Sequence, residues 1–268
     1  MINKDLLSKF SHFYSNIKKN FDKIYKNSNF YDKKISKVFK NDFQYKPSPF
    51  LLSSIINYQK KKYKIEDFAI ESIWKRDVDI KDFKKLNNFF WFFSLDLKSS
   101  KKTTQSILSN WIDNNKKYNE KSWEINLTSK RIISWLSNHQ LTYEDSEKEY
   151  RQKFNFIIQK QTNHLINEIK NSNEVENKII SCAAIILSGL AYQNDKNYLN
   201  IGLNLLKNII KSSIDNYGFP KSRNIKQLIL YLKYFIIIRE WFKESQNDIP
   251  EYIDETIYYL GLSYAFIW

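Results

Sequence analysis

The stretch NSNEVENKIISCAAIILSGLAY, residues 171–192, begins polar and ends as an almost continuous apolar run. It predicts a helix over 175–193 that is buried on nearly all sides. Asn177, between Glu176 and Lys178, lies at the mouth of this helix. An asparagine at such a place commonly caps the first helical turn, and a role in ligand recognition is the second hypothesis.

The rest of the chain is typical of an all-α protein. Only 4 Gly and 4 Pro punctuate 268 residues, which indicates long helices, and no period-2 strand pattern competes beyond residue 100. Apolar spacing predicts helices within the first 40 residues, and YKPSPF at 45–50 interrupts them. A short extended segment is predicted before a helix over 82–97. Further helices are predicted over 101–115, 127–140, 148–171, 175–193, 196–214, 224–245 and 250–266.

Short loops between helices of similar length predict antiparallel neighbours. The helices therefore form stacked hairpins, in a bundle, a solenoid or a closed α/α toroid. A solenoid would show a residue repeat at a fixed period, and only a faint echo links SNWI at 109–112 with SWLS at 134–137. We therefore expect an incomplete α/α toroid of diverged antiparallel helical hairpins.

Positive charge is concentrated near the N-terminus. The net charge is +14, and residues 1–64 hold 15 lysines against four acidic residues. We divide the chain into a basic N-terminal helical segment, 1–64, and a helical domain, 65–268. The basic segment either faces an anionic polymer or a membrane surface, or is a solvated lysine face. Only five arginines occur, so a nucleic-acid partner is disfavoured.

Metal and membrane chemistry find little support in the composition. Cys182 is the single cysteine and is expected to be a buried structural thiol, and the three histidines share no close spacing. No metal site and no cofactor is predicted. No apolar run reaches the length of a membrane span, and no signal peptide is visible, so we expect a soluble protein of unknown compartment.

Four blocks of residues 80–268 resemble heparinase II/III-like proteins, in the order seen in that family. The blocks are LNNFFWFFSLDLKSSKKTTQSILSNWIDNN, SWEINLTSKRIISWLSNH, NEVENKIISCAAIILSGLAY and DNYGFPKSRN. The last block, ending in Ser-Arg-Asn, is closest to the alphaproteobacterial branch. The resemblance implies an α/α toroid followed by a β-sandwich domain. This chain ends at LSYAFIW, where the family continues into that sandwich, so we expect a fragment, a split gene or a single-domain chain.

The resemblance also implies β-elimination of an acidic polysaccharide. Such a lyase must neutralise a uronate carboxylate, remove the C5 proton and protonate the leaving oxygen. Asn177 matches the family position that neutralises the carboxylate, and a helix N-terminus favours negative charge. The family's catalytic tyrosine has no counterpart after Arg223.

Further residues are candidates for substrate binding. In the loop before residue 225 they are Lys221, Ser222, Arg223 and Asn224, although Ser-Arg-Asn alternatively caps the next helix. Trp111 and Trp135 offer flat faces for sugar rings, but their helical apolar spacing equally predicts core packing. Arg131 is either a cleft residue or a buried partner of these tryptophans.

The resemblance implies two alternative functions. The first is the helical domain of a polysaccharide lyase, which in the family works together with a β-sandwich domain that this chain is expected to lack. The alternative is a non-catalytic helical toroid that binds a glycan or serves as a scaffold. In both, the expected partner is an acidic polysaccharide or oligosaccharide.

Overall fold

The computed structural model describes residue 17 and residues 20–39, 43–51, 79–192 and 196–267. This part of the chain is helical without a named strand, which confirms the all-α prediction. Two short 3-10 helices lie at Phe90–Ser94 and Ile169–Asn171. Residues 20–26 and 49–51 are also helical. The α-helices with complete described bounds are α1 (Asn29–Ile35), α2 (Ile80–Asn87), α3 (Lys101–Asn115), α4 (Ile125–Ser137), α5 (His139–Thr142), α6 (Lys148–Glu168), α7 (Val175–Ala191), α8 (Lys196–Ser213), α9 (Ile225–Glu244) and α10 (Glu251–Ile267).

Helix α7 is the centre of the fold. It packs against α4, α6, α8 and α9, and every residue from Ile179 to Ala191 is buried. Apolar residues all round the helix explain this position, because no face of it is suited to water. Cys182 lies within this buried run, as predicted for a structural thiol. None of the helices in the described ranges is long and apolar enough to cross a bilayer.

Helices α7 and α8 form an antiparallel hairpin with unusually close backbones. A Cβ added at Gly189 would meet the backbone of Leu199, and one at Gly202 would lie 2.7 Å from the Ile186 side chain. Gly189 near the end of α7 faces Leu199 near the start of α8, whereas the earlier Ile186 faces the later Gly202, so the two helices are antiparallel. Glycine at both positions allows the approach, since it carries no side chain.

Helices α4, α7 and α9 lie side by side with their N-terminal ends together. Asn126 on α4 bonds Asn177 on α7, and Ser129 bonds Ser181 further along, so these two helices are parallel. Glu176 at the start of α7 bonds Gln227 at the start of α9. The three helices begin at residues 125, 175 and 225, at equal intervals along the chain. One row of a two-layer α/α array has this arrangement, and closure into a toroid stays a prediction.

The described part of the basic N-terminal segment belongs to the same core. The Tyr31 hydroxyl lies 2.7 Å from His164 Nδ1, and Phe39 exchanges two backbone hydrogen bonds with the Gln159 amide. Tyr45 donates to Glu244 at 2.7 Å. Tyr31 and Phe39 thus contact α6, and Tyr45 contacts α9. The proposed boundary between residues 64 and 65 lies outside the described residues.

The predicted helix over 82–97 is wrong in its length. Helix α2 begins at Ile80 and ends at Asn87, and Phe89 then adopts a left-handed backbone conformation with φ 59°. A phenylalanine rarely takes this conformation, and here packing holds it. The Phe89 ring is fully buried against Trp111 and Trp135, while its carbonyl accepts a 2.6 Å hydrogen bond from Ser134. The later helices match their predicted bounds within a few residues.

Candidate functional site

The three aligned helix starts each present an amide side chain near their first turn. Asn126, Asn177 and Gln227 are all partly buried. The Asn126 amide donates to Asn177 Oδ1 at 2.6 Å, and the Gln227 amide donates to Glu176 at 2.7 Å. Side chains from three separate helices thus meet along one end of the row, where the helix dipoles point their positive ends.

Asn177 links two helices and holds a carboxylate. Its Nδ2 donates to Glu174 Oε2 at 2.7 Å, while its Oδ1 accepts from Asn126. Glu174 is the residue that precedes α7, and its own side chain makes no capping bond to the helix backbone. Recognition of an acidic ligand would require Asn177 to donate a hydrogen bond to a carboxylate. In the folded chain Asn177 already makes this hydrogen bond, to the carboxylate of Glu174.

Asn177 borders an open cleft of about 780 Å³. The cleft lies between the starts of α4 and α7, the end of α6 and the helical residues 20–26. Its lining is rich in polar side chains, including four asparagines, one serine, five carboxylates and two lysines, with aromatic rings among them. The lining residues are Asn20, Asp22, Lys23, Lys26, Tyr118, Glu120, Trp123, Glu124, Ile125, His164, Glu168, Asn171, Ser172, Asn173, Glu174 and Asn177.

Both lysines of the cleft are neutralised within it. Lys26 lies 2.5 Å from Asp22 and also forms an ion pair with Glu168. Lys23 lies 3.1 Å from Glu120. Each described lysine of the cleft therefore already faces a carboxylate of the same cleft.

Two further carboxylates make the cleft negative. Glu174 and Glu124 form no ion pair within the described ranges. Glu124 Oε1 accepts from the Asn126 backbone N–H at 3.1 Å, whereas its Oε2 is buried and has no hydrogen-bond partner in this part of the chain. The cleft thus offers an exposed acceptor at Glu174 and has more carboxylates than lysines in its lining.

A buried histidine supports the aromatic floor of the cleft. His164 Nε2 donates to the Trp123 carbonyl at 2.9 Å, so Nδ1 accepts from the Tyr31 hydroxyl. Tyr118 packs edge-on or tilted against all three rings. Burial lowers the pKa of His164 to about 3, which keeps the imidazole neutral.

The neutral His164 makes the fold sensitive to acid. Its pKa is 6.5 in the unfolded chain and about 3 in the fold, so the unfolded state binds the proton more readily. Stability is therefore retained above pH 6.5 and lost as pH falls toward 3. We expect the free energy of unfolding to fall by about 2 kcal/mol more between pH 7 and pH 5 in the wild type than in His164→Gln. Urea unfolding at both pH values measures this, and equal losses in the two proteins would contradict it.

The loop before α9 does not assemble beside Asn177 as one binding site. Lys221 Nζ donates to the Lys211 carbonyl at 2.9 Å, and Arg223 lies 2.6 Å from Asp215. Asn224 caps α9 by accepting from the Lys226 N–H at 2.9 Å, as the alternative prediction stated. Only Ser222 reaches the row of amides, through a 2.5 Å bond to Gln227 Oε1.

The predicted substrate contacts of Arg131, Trp111 and Trp135 are wrong, because all three side chains are 0% exposed. The Arg131 guanidinium stacks 4.0 Å from the centre of the Trp111 ring. Trp111 and Trp135 pack edge to face at 5.4 Å, which is the core packing given as the alternative. Their helical spacing placed them on the inner faces of α3 and α4.

Neither Tyr231 nor Tyr217 takes the place of the tyrosine base that the lyase route requires. Burial raises the pKa of Tyr231, whose hydroxyl donates to Gln227 at 3.3 Å. Tyr217 is 78% exposed and bonds through its backbone to α10 rather than to the amide row. Within the described ranges, no three His, Cys, Asp or Glu side chains are placed to hold a metal ion.

The sequence singled out Asn177 but not its partners. The available signal was the similarity of the helix starts, Glu124-Ile-Asn126 and Glu174-Val-Glu-Asn177, at corresponding places in successive hairpins. Comparison with known protein families, with curated proteins and with solved structures finds no match. The resemblance to heparinase II/III-like proteins therefore stays a prediction.

Proposed function

We propose that this chain is a non-catalytic glycan-binding domain whose cleft at the starts of α4 and α7 takes a neutral, hydroxyl-rich sugar chain. The observation that carries the proposal is Asn177, which joins Asn126 to the carboxylate of Glu174 at the edge of the cleft. The predicted resemblance to heparinase II/III-like proteins guides the choice of a glycan as the ligand.

The chemistry of the cleft suits hydroxyl groups. A sugar hydroxyl both donates and accepts hydrogen bonds. An amide side chain can likewise donate and accept, while a carboxylate accepts from the hydroxyl hydrogen. Glu174 is exposed at the rim, so its carboxylate can accept from a ligand hydroxyl. Such a hydrogen bond is charge-assisted, which makes it stronger than a neutral one.

The charge balance favours a neutral ligand over the predicted acidic one. Five carboxylates and two lysines line the cleft, and both lysines are already paired. An acidic sugar would have to displace Glu174 from Asn177 and remain close to Glu124. The carboxylate of a uronate would be repelled by the carboxylates of Glu124 and Glu174, so we expect uronates to bind this cleft weakly.

The helical domain of a lyase is the second candidate function. The contact between Asn177 and a carboxylate favours it, because carboxylate neutralisation is the first demand of β-elimination. The proposal nevertheless assigns this chain no catalysis, since Tyr231 holds its proton more tightly than usual and Arg223 is tied to Asp215.

Binding measurements test the proposal. Cellohexaose, chitohexaose and xylohexaose serve as neutral ligands and hexagalacturonate as the acidic one, each titrated by calorimetry. At least one neutral hexasaccharide should bind, and Asn177→Ala should weaken it about 10- to 100-fold, the value of one hydrogen bond to a charged network. Asn208→Ala, on the exposed face of α8, is the matched control and should bind like the wild type.

Removing the charge of Glu174 should change the ligand preference. Glu174→Gln is expected to strengthen hexagalacturonate binding at this cleft, followed by the Asn177 side-chain amide resonance, about 10-fold and to weaken neutral binding, because one repelling carboxylate is lost. Glu251→Gln, exposed on α10, controls for net charge.

Ultraviolet absorbance should show no unsaturated uronate in any mixture. A rise in absorbance that Asn177→Ala abolishes would replace the binding proposal with the lyase. Binding of spermine, a polycation, without binding of any hexasaccharide would mean that the cleft takes cations, and would refute both glycan functions.

A further inference from the structure

A second pocket, of about 450 Å³, lies between α8 and α10 on a different part of the molecule. The loop between α8 and α9 closes one side of it. Its walls combine aromatic rings with charged side chains. The lining residues are Lys207, Ile210, Lys211, Ile214, Asp215, Asn216, Gly218, Tyr252, Glu255, Thr256 and Tyr259.

The loop wall is held in place by several independent contacts. Asp215 Oδ1 accepts from the backbone N–H groups of Tyr217 and Phe219, at 3.0 and 2.9 Å. Ser263 on α10 donates to the Tyr217 carbonyl at 2.7 Å. Gly218, with φ 83°, lets the loop lie directly against the Tyr259 backbone, where a Cβ would collide. The pocket is therefore formed in advance of any ligand.

Positive charge is available in this pocket, unlike in the cleft beside Asn177. Lys207 and Lys211 are exposed on α8 and form no ion pair within the described ranges. Lys221 adds a third ammonium group next to them through its bond to the Lys211 carbonyl. The carboxylate of Asp215 is taken by Arg223, at 2.6 Å.

One acceptor and several ring faces complete the lining. Glu255 is exposed on α10 and has no cationic partner in the described structure. The Lys207 ammonium group lies over the Tyr252 ring, 5.6 Å from its centre. The Tyr252 ring therefore forms the part of the pocket wall next to Lys207. Tyr259 is 39% exposed at the opposite side. Flat rings beside polar groups are the usual lining of a site for a small ring-shaped ligand.

We propose that this pocket binds an acidic sugar residue, with Lys207 and Lys211 holding its acid group, Tyr259 covering one face of the ring and Glu255 accepting from a hydroxyl. The lysines fit an anion, whereas Glu255 fits a hydroxyl donor and opposes a ligand that is anionic throughout, such as a phosphate chain. The site is separate from the cleft of the proposed function, with the opposite charge preference.

Titration with trigalacturonate tests this site, and maltotriose is the neutral ligand of equal length. Trigalacturonate should bind, and Lys211→Glu should weaken it at least 10-fold. Lys148→Glu, exposed in the first turn of α6, makes the same change in net charge and should leave binding within about twofold. Tyr259→Ala should also weaken binding, while Tyr264→Ala, 38% exposed on the same helix and outside the pocket lining, should not.

Three outcomes would overturn the inference. They are maltotriose binding as well as trigalacturonate, Lys148→Glu weakening it as much as Lys211→Glu, and inorganic phosphate or sulfate competing at equal concentration. The last would mean a simple anion site. Asn177→Ala should leave trigalacturonate binding unchanged, so that failure of the cleft proposal and failure of this one give different results.

Discussion

Arg131→Ala is expected to lower the free energy of unfolding by about 3–5 kcal/mol, the largest effect of any substitution considered for this chain. The guanidinium is fully buried and has no carboxylate partner within hydrogen-bond distance in the described ranges. It donates instead to the carbonyls of Asn87 and Ser122, at 2.9 and 3.0 Å, and to the Thr128 and Gln161 side chains. Removing it leaves these acceptors unpaired beside a cavity against Trp111.

The contacts of Arg131 explain why so large a loss is expected. They tie the end of α2, the loop before α4 and α6 to one side chain, so no single helix can move to refill the space. Burial lowers the pKa of Arg131 to about 9, and the group still carries its charge at neutral pH. Arg239→Ala is the control, because Arg239 is half-buried and pairs with Asp254 at 2.7 Å. It should cost about 1 kcal/mol or less. Urea unfolding measures both, and a loss below that value for Arg131→Ala would contradict its structural role.

Gly189→Ala is expected to destabilise the protein by about 2–3 kcal/mol, although alanine is the better helix former. The added methyl group would meet the backbone of Leu199, which lies on α8 and cannot rotate away as a side chain could. Helices α7 and α8 would have to separate along the most extensively packed pair in the fold.

Gly261→Ala provides a matched control of opposite sign. It is also helical, and a Cβ at this position has nothing within 4 Å. Helix propensity alone should then act, raising the free energy of unfolding by about 0.5–1 kcal/mol. Equal effects of the two substitutions, in either direction, would show that the close approach of α7 and α8 does not limit stability.

Most helices were predictable because their apolar spacing and polar loops are local features. The exception around Phe89 has a tertiary cause, since its left-handed backbone is held by Trp111, Trp135 and the bond from Ser134. The alignment of α4, α7 and α9 was not visible as a residue repeat, because polar starts of differing sequence occupy the same place in each hairpin.

The candidate site was predictable only in part. Asn177 stood out at the mouth of an apolar helix, but Asn126 lies far from it in sequence and meets it only in the fold. The loop residues Lys221 and Arg223 were grouped with Asn177 by order in the chain, whereas contacts with Lys211 and Asp215 direct them to the α8–α10 pocket. Net charge could not locate the lysines that are neutralised, such as Lys26 between Asp22 and Glu168.

The most direct measurement of the central claim is the side-chain amide resonance of Asn177 in a ¹H–¹⁵N spectrum. The protein would be titrated with the tightest-binding of the three neutral hexasaccharides. The account predicts saturable shifts of the Asn177 and Asn126 side-chain amides, with Asn208 unchanged. Saturable binding that leaves both amides unshifted, or no binding by any of the three, would contradict the assignment of the cleft as a glycan site.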